Sequence, residues 1–177
     1  MIRLLAPWTA SVGKRLVRRP KLYVRDTSLL HSLLSLDTPA QLQSSPKRGA
    51  SWEGFALESI ARTLDRVDAE LFFWGIHGGA ELDLFWQWGG RNWGVEVKYQ
   101  DAPRITRSMK AAMGDLDLAA LWVVYPGRSA YRLAENVMVV PLRDIGRAGA
   151  TICRRRLSGK RLRPAARPTA RRRRSGR

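Results

Sequence analysis

Residues 81–99 read ELDLFWQWGGRNWGVEVKY, and this stretch restricts the fold more than any other. Each half alternates with a period of two, as a β-strand does when successive side chains point to opposite faces. In the first run Leu82, Leu84, Trp86 and Trp88 share one face, and Glu81, Asp83, Phe85 and Gln87 share the other. In the second, Trp93, Val95, Val97 and Tyr99 oppose Asn92, Gly94, Glu96 and Lys98. Gly89-Gly90 between them is a tight-turn signal, so the two runs are expected to form an antiparallel hairpin. One face therefore carries carboxylates and a lysine. Either that face is solvated, or another element covers it and its charges need partners.

The neighbouring segments predict what could cover it. The first 20 residues suggest a short strand and a loop, and KLYV (Lys21 to Val24) a second short strand. DTSLLHSLLSL reads as a helix capped by Asp26 or Thr27, and DTPAQLQSS as another, capped by Asp37 or Thr38 with Pro39 in its first turn. A longer amphipathic helix is expected over 50–66. It is followed by a strand at 70–75, the hairpin, a helix at 106–116, a strand at 118–126 and a last strand in VMVVPL. Helix, three strands, helix, strand is the order of an α/β core with a central mixed sheet flanked by helices. Residues 1–48 form an N-terminal strand and helix extension packed on it, 49–150 the main domain, and 151–177 a tail.

Stepping the 50–66 helix by about 100° per residue sorts its side chains. Trp52, Ala56, Ile60, Leu64, Leu57 and Ala61 make an apolar stripe with Glu53 in its middle, whereas Glu58 falls on the polar arc. A carboxylate on the buried side is costly unless a cation, a hydrogen-bonding cluster or a metal compensates it. If this helix covers the Asp83, Glu96 and Lys98 face of the hairpin, four ionisable groups converge. Three acids at one point repel unless a divalent cation neutralises them, and hard oxygen donors suit magnesium or manganese. The plainer alternative is a solvated charged face with a Glu53–Lys98 salt bridge.

Charge and composition limit the classes further. The formal net charge is +17, but residues 151–177 hold 12 Lys/Arg and no acids, while the first 150 hold 20 Lys/Arg against 15 Asp/Glu. Most of the basic character belongs to the tail, whose Arg, Pro and Gly content predicts disorder and non-specific attraction to polyphosphate. No apolar run approaches a membrane span, and the N-terminus lacks the apolar core of a secretory signal, which predicts a cytoplasmic protein without a membrane partner. The lone Cys153 excludes an internal disulfide and reads as an inert thiol. His31 and His77 read as a partly exposed helix residue and a loop residue. Arg104, Arg107 and Lys110, directly after the hairpin, are placed to contact nucleic-acid phosphates or to solvate a helix start.

Asp83, twelve intervening residues, and then Glu96-Val97-Lys98 resemble the PD-(D/E)-x-K nuclease superfamily, and Gly49 with Glu53 resembles its first-helix acid. The element order matches that superfamily's restriction-endonuclease-like core. More of the chain, from about residue 3 to 145, is similar to the uncharacterised C-terminal domain of prokaryotic AAA-type ATPases. The segments that carry this likeness include GASWEGFALESI, GGAELDLFW, GVEVKY, RSMKAAMGDL and LWVVYPG. The resemblance implies a Mg2+- or Mn2+-dependent hydrolase acting on DNA. Asp83, Glu96 and the Val97 carbonyl would hold the metal, Glu53 would bind or orient a second metal or water, and Lys98 would stabilise the attacking hydroxide. Leu82 stands where that superfamily often has proline. No G-x-x-x-x-G-K-[ST] occurs: the nearest approach, Gly13-Lys14, has Trp8 in place of the first glycine and Arg15 after the lysine. The expectation is a free-standing domain or the remnant of a split gene, with DNA or another nucleic acid as partner and an ATPase subunit as a further candidate. A catalytically silent interaction module remains the alternative.

Overall fold

The computed structural model describes residues 1–9, 16–64, 71–77 and 79–146. The basic tail and Cys153 lie outside the described residues. Eight strands form one mixed sheet: β1 (Ile2–Pro7), β2 (Lys21–Val24), β3 (Phe72–Gly75), β4 (Glu81–Trp88), β5 (Arg91–Val97), β6 (Leu118–Tyr125), β7 (Tyr131–Ala134) and β8 (Val137–Pro141). Their spatial order is β2-β1-β3-β4-β5-β6-β8-β7. β1/β3, β5/β6 and β6/β8 run parallel; the remaining neighbours run antiparallel. The helices are α1 (Thr27–Leu33), α2 (Pro39–Ser44), α3 (Arg48–Thr63) and α4 (Arg107–Asp115).

The local signals operate as their chemistry requires. The Asp26 carboxylate accepts from the Ser28 and Leu29 amides at 2.9 and 3.2 Å, satisfying donors that the first turn of α1 leaves open. Thr38 and Gln41 close a reciprocal capping box on α2. Gly89 and Gly90 both adopt positive φ, 63° and 72°, as the two-residue turn between β4 and β5 demands. β7 is absent from the sequence expectation. YRLA is short, half-exposed and at the sheet edge, so it carries little alternation to read.

Helices cover both faces of the β4–β5 hairpin. On one, Ala56, Leu57 and Ile60 of α3 pack with Leu84, Trp86, Trp93, Val95, Val97 and Trp122. On the other, Met109 and Ala112 of α4 pack with Leu82, Phe85, Leu121 and Val123. The hairpin is thus interior, and its charges are not an outer solvated face. α3 lies over the apolar side of β5, not over the Glu96 and Lys98 side that the convergence argument assumed. Leu82 also departs from expectation by joining the α4 side, away from Leu84 and Trp86. Between β3 and β4 the register slips: Phe72 pairs Phe85 and Trp74 pairs Leu82, two residues against three. This bulge turns β4 over at Asp83–Leu84 and brings Asp83 toward α3.

Candidate functional site: a buried cluster of carboxylates and lysines

Both strands of the hairpin end in the acidic cluster. Asp83 and Glu96 are only 8% and 4% exposed, although an isolated carboxylate strongly prefers water. Asp83 Oδ2 accepts the Val97 amide at 2.7 Å, a bond that ties the β4 bulge to β5. Glu96 pairs in register with Val123, which belongs to the α4-side core, and its Oε1 meets Lys98 Nζ at 2.6 Å. The other oxygen, Glu96 Oε2, is buried and has no hydrogen-bond partner among the described residues.

On the α3 side a second cation sits among the acids. Lys21 Nζ donates to Glu81 and lies 3.6 Å from Glu53 and 3.7 Å from Asp83. Its ammonium also stands 5.3 Å from the centre of the Phe73 ring. The Tyr23 hydroxyl donates to Glu53 at 2.5 Å, fixing that carboxylate against β2. Among the described residues four carboxyl groups (Glu53, Glu81, Asp83, Glu96) therefore face two ammoniums (Lys21, Lys98), an excess of acids of which Asp83 and Glu96 are buried and Glu53 and Glu81 partly exposed.

The electrostatics follow from that excess. Burial, reinforced by the charges of Glu96 and Glu53, pushes the Asp83 carboxyl up to about 8, and the Val97 amide and Lys21 only partly oppose it. Burial likewise raises Glu96 against the counter-pull of Lys98. For Lys21 and Lys98, burial favours the neutral amine. The surrounding carboxylates outweigh it and hold both ammoniums above their ordinary value. Burial beside Glu53 raises the Tyr23 phenol, which stays protonated as a donor. Because folded Asp83 holds its proton to about pH 8 and an unfolded aspartate releases it near 3.8, this group costs stability as pH rises through that window. Asp83→Asn is therefore expected to be more stable than the parent at pH 8, on the order of 1–3 kcal/mol, with the difference shrinking toward pH 4. Thermal unfolding of both proteins across that range checks the sign.

The expected residues divide as follows. Glu53, Asp83, Glu96 and Lys98 lie within electrostatic reach of one another, but as two ion-paired groups joined at Asp83: Lys21 with Glu53, Glu81 and Asp83, and Lys98 with Glu96. Glu53 pairs with Lys21 and Tyr23; among the described residues Lys98 pairs with Glu96. Glu58 is a correction, because it is 5% exposed and not on a solvated arc. Arg3 of β1, Arg25 after β2 and Arg62 one turn on all reach it, at 2.8, 2.9 and 3.1 Å. The β1–β2 hairpin covers that side of α3, so the buried arc is wider than the apolar residues alone outline. Arg104, Arg107 and Lys110 are exposed, as is His77; His31 is half-buried, its Nε2 2.6 Å from Ser51 Oγ. Sequence reasoning missed Lys21, Tyr23 and Glu81. Their spacing held a signal, because Lys21 and Tyr23 share one face of a strand, as do Glu81 and Asp83.

As donors, hard carboxylate oxygens suit a divalent cation such as Mg2+ or Mn2+, and Glu96 Oε2 is a buried oxygen without a partner among the described residues. The cluster is closed around its own ammoniums, and among the described residues no three acid or histidine side chains form a metal-binding group.

Fold and site together define a mixed α/β domain with a buried, charge-rich sheet end. Residues 48–145 match the domain of unknown function DUF4143, and the chain belongs to that family. Residues 1–40 match a second domain of unknown function, DUF8612. The uncharacterized protein Rv2008c of Mycobacterium tuberculosis and the uncharacterized protein Mb2031c of Mycobacterium bovis are each 45% identical over 150 residues, covering 85% of this chain and 34% of the relative. The chain thus spans about a third of the length of those relatives. No solved structure matches it. Among the described residues, no helix is long and apolar enough to cross a membrane.

Proposed function

We propose that this chain is a nuclease-like domain of the restriction-endonuclease-like PD-(D/E)-x-K type, acting on or binding DNA with Mg2+ or Mn2+. In this proposal it corresponds to the C-terminal domain of AAA-type ATPases and works in the cytoplasm. The observation that supports this best is the gathering of carboxyl groups around the buried Asp83 and Glu96, with one Glu96 oxygen lacking a partner among the described residues. A site with more carboxyl groups than ammoniums is suited to take up a divalent cation, which would displace the proton that burial holds on Asp83.

In that role Asp83, Glu96 and the Val97 carbonyl hold the ion. When bound, the metal supplies the acidity that activates water at neutral pH and offsets charge on the scissile phosphate. Glu53, held by Tyr23, orients water or a second ion. Lys98 steadies negative charge growing on the phosphate in the transition state. Arg104, Arg107 and Lys110, exposed just beyond β5 and on the first turns of α4, contact the backbone phosphates.

Incubating the full chain with labelled duplex, branched and single-stranded DNA and either metal tests the assignment. The expected result is cleavage by the parent, reduced at least about 100-fold in both Asp83→Ala and Lys98→Ala. Absence of cleavage by the parent, or equal cleavage by all three proteins, contradicts it.

One observation favours a second role, that of a catalytically silent module docking an ATPase subunit. Ile2, Leu4 and Leu22 project from the outer face of the β1–β2 hairpin and are more than half exposed, with Leu4 paired directly to Leu22. An apolar edge of this kind suits a protein partner.

A further inference from the structure

Lys21 occupies the place among Glu53, Glu81 and Asp83 where a bound cation would neutralise them. We propose that Lys21 is a tethered competitor of the divalent cation: its ammonium fills the α3 side of the acidic cluster and must withdraw before a metal ion can bind there. The inference rests on the metal-dependent reading above and adds a control to it.

Three observations carry it. First, the ammonium is shared. It donates to Glu81 while lying 3.6 and 3.7 Å from Glu53 and Asp83, so one positive charge serves three carboxylates that belong to α3 and β4. An ammonium holds oxygens farther off than magnesium, whose bonds are about 2.0–2.1 Å. With Lys21 in place, the acids around it do not form a metal-binding group among the described residues.

Second, Lys21 is able to leave. It begins β2, the edge strand of the sheet, and its side chain keeps 23% exposure, so a flexible four-carbon stem can carry the charge to solvent without unpairing the strand. Asp83 and Glu96, by contrast, are fixed by strands in the sheet interior.

Third, the cation and the acids come from separately matched segments. Lys21 lies in the part that matches DUF8612, and Glu53, Glu81 and Asp83 lie in the part that matches DUF4143. The N-terminal segment thus places a charge inside a cluster built by the other. Movement of the β1–β2 hairpin, whose outer face is apolar and exposed, would be transmitted to the cluster through Lys21 and through Tyr23, which holds Glu53.

Two measurements on the full chain decide the matter. Titrating MnCl2 into the parent and into Lys21→Met by calorimetry is expected to show at least about tenfold tighter binding by the variant. Removing a nearby positive charge would itself tighten binding, so displacement needs its own readout. In the parent carrying 13C,15N-lysine, MgCl2 is expected to move the Lys21 ε-methylene resonance to the position of a solvated lysine as the metal site fills. This second readout does not depend on the variant folding. If Mg2+ binds while the Lys21 resonance stays in place, or if Lys21→Met binds Mn2+ no tighter than the parent, the competitor role is overturned and the metal reading stands. If neither protein binds either ion, the metal reading falls and the competitor role falls with it.

Discussion

Alanine at Glu58 is expected to cost the fold about 3–5 kcal/mol, the scale for removing one member of a buried ion-paired set. Three guanidiniums converge on this carboxylate, and Arg3 is itself only 3% exposed. Truncation removes the carboxylate to which that buried cation is paired, and its desolvation penalty is then less fully offset. Although burial opposes ionisation, hydrogen bonds from Arg25 and Arg3 hold the Glu58 carboxyl below its ordinary value. A lowered folded pKa gives stability that is present above the unfolded value of 4.5 and is lost as pH falls through the folded one. The gap between parent and Glu58→Ala should therefore be full at pH 7 and close under acid. In thermal melts it should appear as a drop of roughly 10 °C at neutral pH. A loss under about 1 kcal/mol would show that the three arginines find other partners.

Trp86→Ala should be comparably damaging, at about 3–5 kcal/mol, but by a different mechanism and with no pH dependence. Trp86 is 2% exposed and stacks on Trp122 at 6.0 Å and 15°, which in turn stacks on Trp93 at 5.6 Å and 18°. These rings join β4, β5 and β6 beneath α3, so the variant loses both transfer free energy and a contact across three strands. Trp86→Phe keeps most of the volume and should recover more than half of the loss. Denaturant unfolding followed by near-ultraviolet circular dichroism reads both variants. A small effect for Trp86→Ala would mean that the cavity collapses.

Much of the fold was legible because its signals are local. The alternation of 81–99, the Gly-Gly turn, the Asp26 and Thr38 caps and the leucine spacing each state a conformation within a few residues. What escaped depends on partners distant in sequence. Glu58 looked solvated because a helical wheel cannot show that β1 and β2 return to cover its side. The slip of Leu82 comes from a bulge between β3 and β4, and alternation alone cannot register a residue inserted in only one strand. The same holds for the site. Glu53, Asp83, Glu96 and Lys98 could be named from spacing and resemblance; Lys21 and Tyr23 share a strand face, but nothing in KLYV shows that the Lys21 side chain reaches Glu81 and Asp83 of β4. Its arrival divides the expected single group into two ion-paired ones.

On the proposed function, the carboxylates of Asp83 and Glu96 are kept for a cation. A crystal of the full chain grown with excess MnCl2 tests it most directly, by anomalous scattering at the manganese edge. The account predicts a peak bounded by Asp83 and Glu96, with Lys21 turned away from the acids. Saturating manganese with no peak there, and with Lys21 still held by Glu81, would contradict it and leave the cluster as a structural network of ion pairs.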